Sequence, residues 1–188
     1  MKIYNLNNIY DCFKGIRPTD CSFLQLLEDN YGHPMGSGWS IPHFVWDTET
    51  GDVERDIYLY LGYILVCNVK AKSAIQQKTK SDGIEFLQID VEGQPFYFIN
   101  VLSVANGALN LHRSKVDYFK DKTTIKNIRG YAFNADFNYT PLFTIPEIAA
   151  GLFATDVFKD VVERNNLNGL DFKECKIVKD GFLKSIFK

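Results

Sequence analysis

The chain has 188 residues, of which 46% are hydrophobic, and it contains 15 Phe, 10 Tyr and 2 Trp residues. This length and aromatic content predict one folded domain with a sizeable core, and they exclude the polar, charge-rich composition of disordered chains. The formal net charge of -2 creates no global field that would make a nucleic acid or an anionic membrane the default partner.

The N-terminal part, residues 1–61, is predicted to be rich in loops because Gly and Pro residues recur along it. Met1 to Asn8 is interrupted by Asn residues where a signal peptide would need a continuous apolar stretch, so we expect mature structure there. One helix is predicted over Asp20 to Tyr31. Its apolar side chains at helical spacing are Phe23, Leu26, Leu27 and Tyr31.

An acidic segment with aromatic neighbours lies near the end of this N-terminal part. Five acids stand against the single Arg55 between residues 47 and 56, a net charge of -4. Aromatic anchors supply buried area at an interface and charge accelerates encounter, so this composition suits a basic partner. The alternative, to which we give more weight, is a solvated loop packed by its own tryptophans. The candidate partner-binding residues are Trp39, His43, Trp46, Asp47, Glu49, Asp52 and Glu54.

The longest apolar run, Ile57 to Cys67, is shorter than the ~20 residues of a membrane-spanning helix and predicts buried strand, with an apolar strand over Gly62 to Cys67. Asn68 is then the predicted N-cap of a polar helix over Val69 to Lys78. No membrane partner is expected from this pattern.

A β-hairpin is predicted next, because the strand-like runs Ile84 to Val91 and Gln94 to Leu102 are joined by Glu92-Gly93. Both faces of the second run are apolar, so we expect it at the centre of a sheet covered on both sides. Further strands are predicted over Ile128 to Phe137 and Thr140 to Thr144.

The charge reverses between Arg113 and Arg129, where six basic residues outnumber two acids and Tyr118 and Phe119 are interleaved. Such a segment could follow a nucleic-acid backbone through phosphate contacts and stacking. A solvated, lysine-rich loop or helix face is favoured instead, because the chain as a whole is acidic.

The sequence contains no recognisable catalytic or metal-binding motif. Neither the histidines nor the cysteines fall in C-x-x-C or H-E-x-x-H spacing, so no metal or cofactor is expected. We predict Cys67 in the core, histidines in loops or at the surface, and reduced thiols in a cytoplasm. Gly36-Ser37-Gly38 lacks the flanking strand, helix and Lys of a phosphate loop and predicts a turn. The histidines of the chain are His33, His43 and His112, and its cysteines are Cys12, Cys21, Cys67 and Cys175.

The C-terminal segment predicts a strand, a helix and a strand. Leu152 to Ala154 is extended, Thr155 is the predicted N-cap, and the helix continues to about Asn165. The predicted buried stripe of this helix is Val157, Phe158, Val161 and Val162. After a turn at Asn168-Gly169, the last strand carries Leu170, Phe172, Ile177 and Val178.

Two blocks of this segment follow a known pattern. Residues 152–163 are LFATDVFKDVVE and residues 167–172 are LNGLDF. They resemble a bacterial immunity-protein family of polymorphic toxin systems. Its members typically carry hydrophobic-Ser-Asp-x-Phe-Lys-x-x-hydrophobic-Glu at a helix start, followed by Leu-x-Gly-Leu-x-Phe. Thr155 replaces the usual Ser, and Thr also caps helices.

The resemblance extends upstream, where residues 86–89, 96–102 and 108–111 with Ser114 are similar to the hairpin and following segment of that family. Asn110 stands where Asp is common. Membership implies a small cytoplasmic protein that blocks a cognate toxin domain by binding it directly, without catalysis.

Together the elements predict an α+β fold with a mixed or antiparallel central sheet, a β-hairpin, flanking helices and a loop-rich N-terminal region. We expect one immunity-type domain over residues 1–188, with a divergent part at 1–61 and a family-like core at 62–178. The oligomeric state is left open. An alternative of another class is an enzyme acting on a nucleotide or a modified protein, with a site assembled from residues distant in sequence.

Overall fold

The computed structural model describes residues 1–9, 13–30, 32–47, 49, 51–79, 83–148 and 151–179. The described helices are α1 (Ser22–Asp29), α2 (Val69–Thr79) and α3 (Asp156–Arg164), with a short 3-10 helix at Gly36–Gly38. The described strands are β1 (Ile3–Asn8), β2 (Gly15–Pro18), β3 (His43–Asp47), β4 (Ile57–Tyr60), β5 (Ile64–Asn68), β6 (Ile84–Val91), β7 (Gln94–Val101), β8 (Lys115–Tyr118), β9 (Ile125–Gly130), β10 (Ala132–Asn134), β11 (Leu142–Thr144), β12 (Leu152–Thr155), β13 (Leu170–Glu174) and β14 (Lys176–Val178).

The largest sheet has six strands in the order β2-β3-β6-β7-β5-β4. Its neighbours are antiparallel except β3 and β6, which run parallel. The predicted hairpin is confirmed as β6 and β7, joined through Glu92 (φ 50°) and Gly93 (φ 84°). Positive φ at both positions is what a type I′ hairpin turn requires. The sheet is mixed, as predicted.

Strand β7 lies inside this sheet and is covered on both faces, which confirms the prediction made from its apolar pattern. Phe96 and Phe98 pack into a cluster that includes Phe23 of α1. Ile99 and Val101 pack into a second cluster, to which α2 and α3 contribute buried side chains. The helices therefore flank the sheet, and the α+β class is confirmed.

A second, antiparallel sheet has the order β11-β12-β1-β13. Strand β1 lies in its interior, with Tyr4 opposite Ala154 of β12 and Leu6 opposite Phe172 of β13. The N-terminal region has more regular structure than its Gly and Pro content suggests, because the described part of residues 1–61 includes four strands and α1. Asn residues have low strand propensity, and pairing on both sides overrides that preference.

Side chains of the second sheet alternate between two cores. Leu6 and Ala154 face the cluster shared with the six-stranded sheet. Ile3 and Phe153 face a third cluster, which also contains Phe133. The second sheet thus forms a layer between two hydrophobic cores, and both of its faces are buried.

Three predicted strands are divided in the structure. The apolar run over residues 57–67 forms the antiparallel pair β4 and β5, which turns through Leu61 (φ 52°) and Gly62 (φ 81°). The run over residues 128–137 is split between β9 and β10. The last predicted strand is split between β13, which pairs with β1, and β14, which pairs with β10. The first break is a turn that lets the two halves of the run pair with each other, and the last break lets the chain change partner.

The observed helix ends and buried helix faces agree with the predicted ones, with two exceptions. Asn68 caps α2, since its Oδ1 accepts a hydrogen bond of 2.9 Å from the N–H of Ala71. In α3, Phe158 is fully buried, but Val157 is 49% exposed and lies outside the predicted stripe. Thr155 occupies the N-cap position without a side-chain capping hydrogen bond. Tyr31, predicted on the stripe of α1, lies outside the described residues.

None of the helices among the described residues has the length and apolar content needed to cross a lipid bilayer.

Candidate partner-binding surface

Strand β3 positions three of the predicted partner-binding residues. Its side chains alternate, so Trp46 shares with Phe44 the face that packs toward α1, while His43 and Asp47 point to the opposite face. The predicted set is therefore divided between two sides of the six-stranded sheet.

The two tryptophans are held by the sheet. Trp39 Nε1 donates a hydrogen bond of 2.7 Å to the main-chain oxygen of Gln88, and its ring lies edge-on to Phe98 at 6.1 Å. Trp46 lies edge-on to Phe96 at 5.5 Å. Both side chains remain partly exposed. Their main contacts are therefore within the fold. This agrees with the alternative of a loop that is packed by its own tryptophans.

His43 forms a surface hydrogen bond with β6. Its Nδ1 lies 3.0 Å from Asp90 Oδ2, and the His43 side chain is 69% exposed. The hydrogen bond to His43 lowers the pKa of Asp90, because it favours the carboxylate. This pair links β3 to β6 at the surface.

The segment after β3 presents most of the predicted acids to solvent. Glu49, Asp52 and Glu54 are exposed, and Asp47 is partly buried. Asp47 Oδ1 accepts a hydrogen bond from the N–H of Glu49, and Glu54 Oε1 lies 3.5 Å from Lys14 Nζ. We call Asp47, Glu49, Asp52 and Glu54 the acidic strip.

Arg55, the one basic residue of that segment, turns inward. Its side chain is 7% exposed, and its guanidinium carbon lies 4.8 Å from the ring centre of Phe13 and 5.3 Å from that of Tyr58. The outward side of the segment is therefore acidic.

A cavity of about 360 Å³ lies between the two edge strands of the large sheet, β2 and β4. Burial raises the pKa of the Tyr58 hydroxyl, which has no hydrogen-bond partner among the described residues. Among the described lining residues there is no His, Cys, Asp or Glu. The lining is Asn8, Gly15, Ile16, Arg55, Tyr58, Leu59, Tyr60 and Leu61.

The histidines and the described cysteines do not converge. His33, His43 and His112 are exposed and lie on separate segments, as predicted for surface histidines. Cys67 is fully buried, which confirms its predicted core position, and Cys12 lies outside the described residues. Within the described ranges, no three His, Cys, Asp or Glu side chains are grouped in a way that could hold a metal ion.

The basic segment over residues 113–130 is a β-hairpin, which corrects the predicted loop or helix face. Strands β8 and β9 pair antiparallel with each other. The charge reversal and the adjacent aromatic residues were visible in the sequence, but the hairpin form was not. We call residues 113–130 the basic hairpin.

One comparison with known proteins finds a relation. The sequence model of a family described as Immunity protein family (Imm11) matches residues 24–177. The matched range begins within α1, includes the acidic strip and the basic hairpin, and ends within β14. No protein with a curated description matches the chain.

Proposed function

Because the chain belongs to the Imm11 immunity protein family, we propose that it binds the toxin of its own system and neutralises it by direct protein–protein contact. The match over residues 24–177, which spans most of the chain, carries this proposal. The role places the protein in the cytoplasm of the cell that it protects. It requires a surface complementary to the toxin and no chemistry of its own.

The cavity supports binding over catalysis. An enzyme needs a general acid, a general base or a nucleophile that reaches the reacting atoms. The described lining residues supply a guanidinium, an amide and two tyrosines, and burial raises the pKa of both Tyr58 and Tyr60, which makes them poor bases; the three histidines lie elsewhere. This arrangement favours neutralisation through an external surface.

We propose the acidic strip as part of that surface. Glu49, Asp52 and Glu54 are exposed close together in sequence, and Arg55 is turned away from them. Complementary charge accelerates encounter between proteins and fixes their relative orientation. A basic region of the toxin is therefore the expected contact. Trp39 and Trp46 pack against the sheet and contribute only their exposed edges.

Co-expression tests the function. The protein should protect cells that produce the toxin encoded beside its gene, and the two should elute together from a gel-filtration column. A wild-type chain that neither protects cells nor forms a complex would overturn the proposal.

A charge reversal tests the strip separately. Asp52→Lys combined with Glu54→Lys should weaken the complex at least about tenfold, because like charges then face each other. Asp136→Lys combined with Asp171→Lys changes the net charge equally at exposed positions elsewhere and is the matched control. Equal weakening by both pairs would assign the effect to net charge and remove the strip from the interface.

A further inference from the structure

The basic hairpin is a ribbon that pairs with no other strand among the described residues. Its base is anchored, since Ile128 of β9 is 4% exposed and packs in the third core cluster, with Val116 of β8 against it. From Tyr118 to Thr124 every residue is exposed. The hairpin thus holds a solvent-exposed tip on a fixed base.

The tip is ordered by its own hydrogen bonds. The Asp121 carboxylate accepts hydrogen bonds from the N–H groups of Thr123 (3.0 Å) and Thr124 (2.9 Å), and from the Thr124 hydroxyl. These bonds, led by that hydroxyl, lower the pKa of Asp121 to about 2. The N–H of Phe119 donates to the oxygen of Thr124, and the N–H of Lys122 donates to the oxygen of Phe119. A preorganised loop loses little conformational entropy when it binds.

Two aromatic residues follow one another in sequence at this tip. Tyr118 is 42% exposed and Phe119 is 52% exposed, and the ring contacts found among the described residues involve neither of them. Exposed rings add little to the stability of the fold, whereas aromatic residues are the commonest anchors of protein interfaces. Their position indicates a contact with another molecule.

The surrounding charge is positive. The hairpin contains six basic residues and two acids, a net charge of +4. Arg129 Nε pairs with Asp117 Oδ2 at 2.7 Å. Lys120 and Lys126 are exposed and form no ion pair with any described residue. Positive charge around an apolar tip matches a partner surface that combines carboxylates with an apolar depression.

We propose that the tip of the basic hairpin docks on an acidic surface of the toxin, with Phe119 and Tyr118 as anchors and Lys120 and Lys126 facing carboxylates. This contact rests on the proposed function and adds a second, oppositely charged surface to it. A nucleic acid is disfavoured as the partner. The rest of the chain carries a net charge of -6, and Asp117 and Asp121 interrupt the ribbon, so a polyanion would be repelled around a narrow contact.

Binding kinetics test the proposal with the whole protein and a catalytically inactivated form of the toxin encoded beside it. Tyr118→Ala combined with Phe119→Ala should raise the dissociation rate at least about tenfold, because the anchors are lost. Lys120→Glu combined with Lys126→Glu should lower the association rate about tenfold at low salt, with a smaller effect at high salt. Lys122 is left unchanged because its backbone has φ 59°.

The matched controls are substitutions at positions distant in sequence from the basic hairpin. Val157→Ala removes an apolar side chain that is 49% exposed on α3. Lys173→Glu combined with Lys176→Glu reverses two exposed charges on β13 and β14. Circular dichroism and thermal unfolding should show all variants folded like the wild type, since every altered side chain is solvent-exposed.

The outcomes separate the two proposals. Wild-type binding with unchanged kinetics in both hairpin variants overturns the hairpin contact and leaves the proposed function standing. No binding by the wild type overturns both. Hairpin-dependent, salt-sensitive binding of the wild type to random-sequence single-stranded or duplex DNA or RNA, without an effect of the hairpin variants on toxin binding, replaces the protein contact with a nucleic-acid contact.

Discussion

The side-chain amide of Asn8 forms two hydrogen bonds with the main chain of Leu59. Asn8 Nδ2 donates to the Leu59 oxygen, and the Leu59 N–H donates to Asn8 Oδ1, both at 2.7 Å. Asn8 ends β1 of the second sheet, and Leu59 lies on β4, an edge strand of the large sheet. One amide thus satisfies the main-chain groups of Leu59 at the outer edge of β4 and joins the two sheets, in the way that proteins protect edges from unwanted pairing.

Asn8→Ala should lower the free energy of unfolding by about 2–3 kcal/mol, because the Leu59 N–H and oxygen lose their partners. Asn7→Ala is the matched control, since Asn7 Nδ2 makes one local contact of 3.3 Å with the Asn5 oxygen. Urea unfolding of both variants measures the difference. Equal losses would show that the contact with Leu59 contributes no more than an ordinary surface amide.

Gly169→Ala should be more damaging than Gly107→Ala. Both glycines have positive φ, 110° and 77°, so both variants carry backbone strain of about 1 kcal/mol. A Cβ at position 169 would also lie 2.2 Å from the Ile57 oxygen, whereas a Cβ at position 107 meets nothing within 4 Å. Thermal unfolding should show a much larger fall in melting temperature for Gly169→Ala. Similar falls would mean that β4 shifts to accept the methyl group.

Asp56 should make stability depend on pH. Burial alone would raise the pKa of its carboxyl, but hydrogen bonds from Asn68, Lys70 and the N–H of Asn168 outweigh burial and lower it. The unfolded chain therefore takes up the proton first, and stability falls as the pH decreases below about 4. Urea unfolding between pH values of about 3 and 7 measures this dependence.

The variant Asp56→Asn should lose about 1–2 kcal/mol near neutral pH, with a difference from the wild type that shrinks in acid. Asp136→Asn, at an exposed position, is the control and should follow the wild type at every pH. A constant difference between Asp56→Asn and the wild type across the pH range would contradict the role of its charge.

Trp46→Ala should reduce stability rather than act on binding alone. The ring packs edge-on against Phe96, and Lys14 Nζ lies 5.3 Å from its centre. Truncation of this half-buried ring should cost about 2 kcal/mol, and Trp46→Phe should restore most of the loss. Ile41→Ala, at a side chain that is 47% exposed, is the control. An unchanged melting temperature in Trp46→Ala would instead make Trp46 a surface anchor.

The thiols should differ in reactivity. Cys21 is exposed, Cys67 is fully buried, and burial raises the pKa of Cys67 and brings that of Cys175 to about 11. In a Cys12→Ser background, a disulfide reagent should therefore modify Cys21 first and Cys175 slowly, and should reach Cys67 only on unfolding. Mass spectrometry identifies the modified residues, and early labelling of Cys67 in the folded protein would contradict its burial.

Features that depend on neighbouring residues could be predicted from the sequence. The β6–β7 hairpin follows from Glu92-Gly93 between two apolar runs, and the cap of α2 follows from Asn68 before a helical pattern. The family relation was also visible, because the blocks at residues 152–163 and 167–172 are contiguous. Local turn chemistry, capping and side-chain periodicity act over a few residues, so they can be recognised without knowledge of distant partners.

The placement of the candidate surfaces could not be predicted in this way. Alternation along β3 puts Trp46 against the core and His43 on the opposite face, although both belong to one aromatic-acidic run. The basic hairpin required the pairing of β8 with β9 before its aromatic tip could be located. Which members of a charged run face solvent depends on the packing around it.

The sequence by itself determined the α+β fold class of the protein, its central hairpin, the helix that follows Asn68, and the family to which the chain belongs. Only the tertiary structure decided that β1 lies between β12 and β13, and that the Asn8 side chain forms hydrogen bonds with Leu59 at the outer edge of β4. These contacts join residues that are far apart along the chain. Their free energy comes from strand edges and apolar faces that meet only when the whole chain has folded, so no local pattern encodes them.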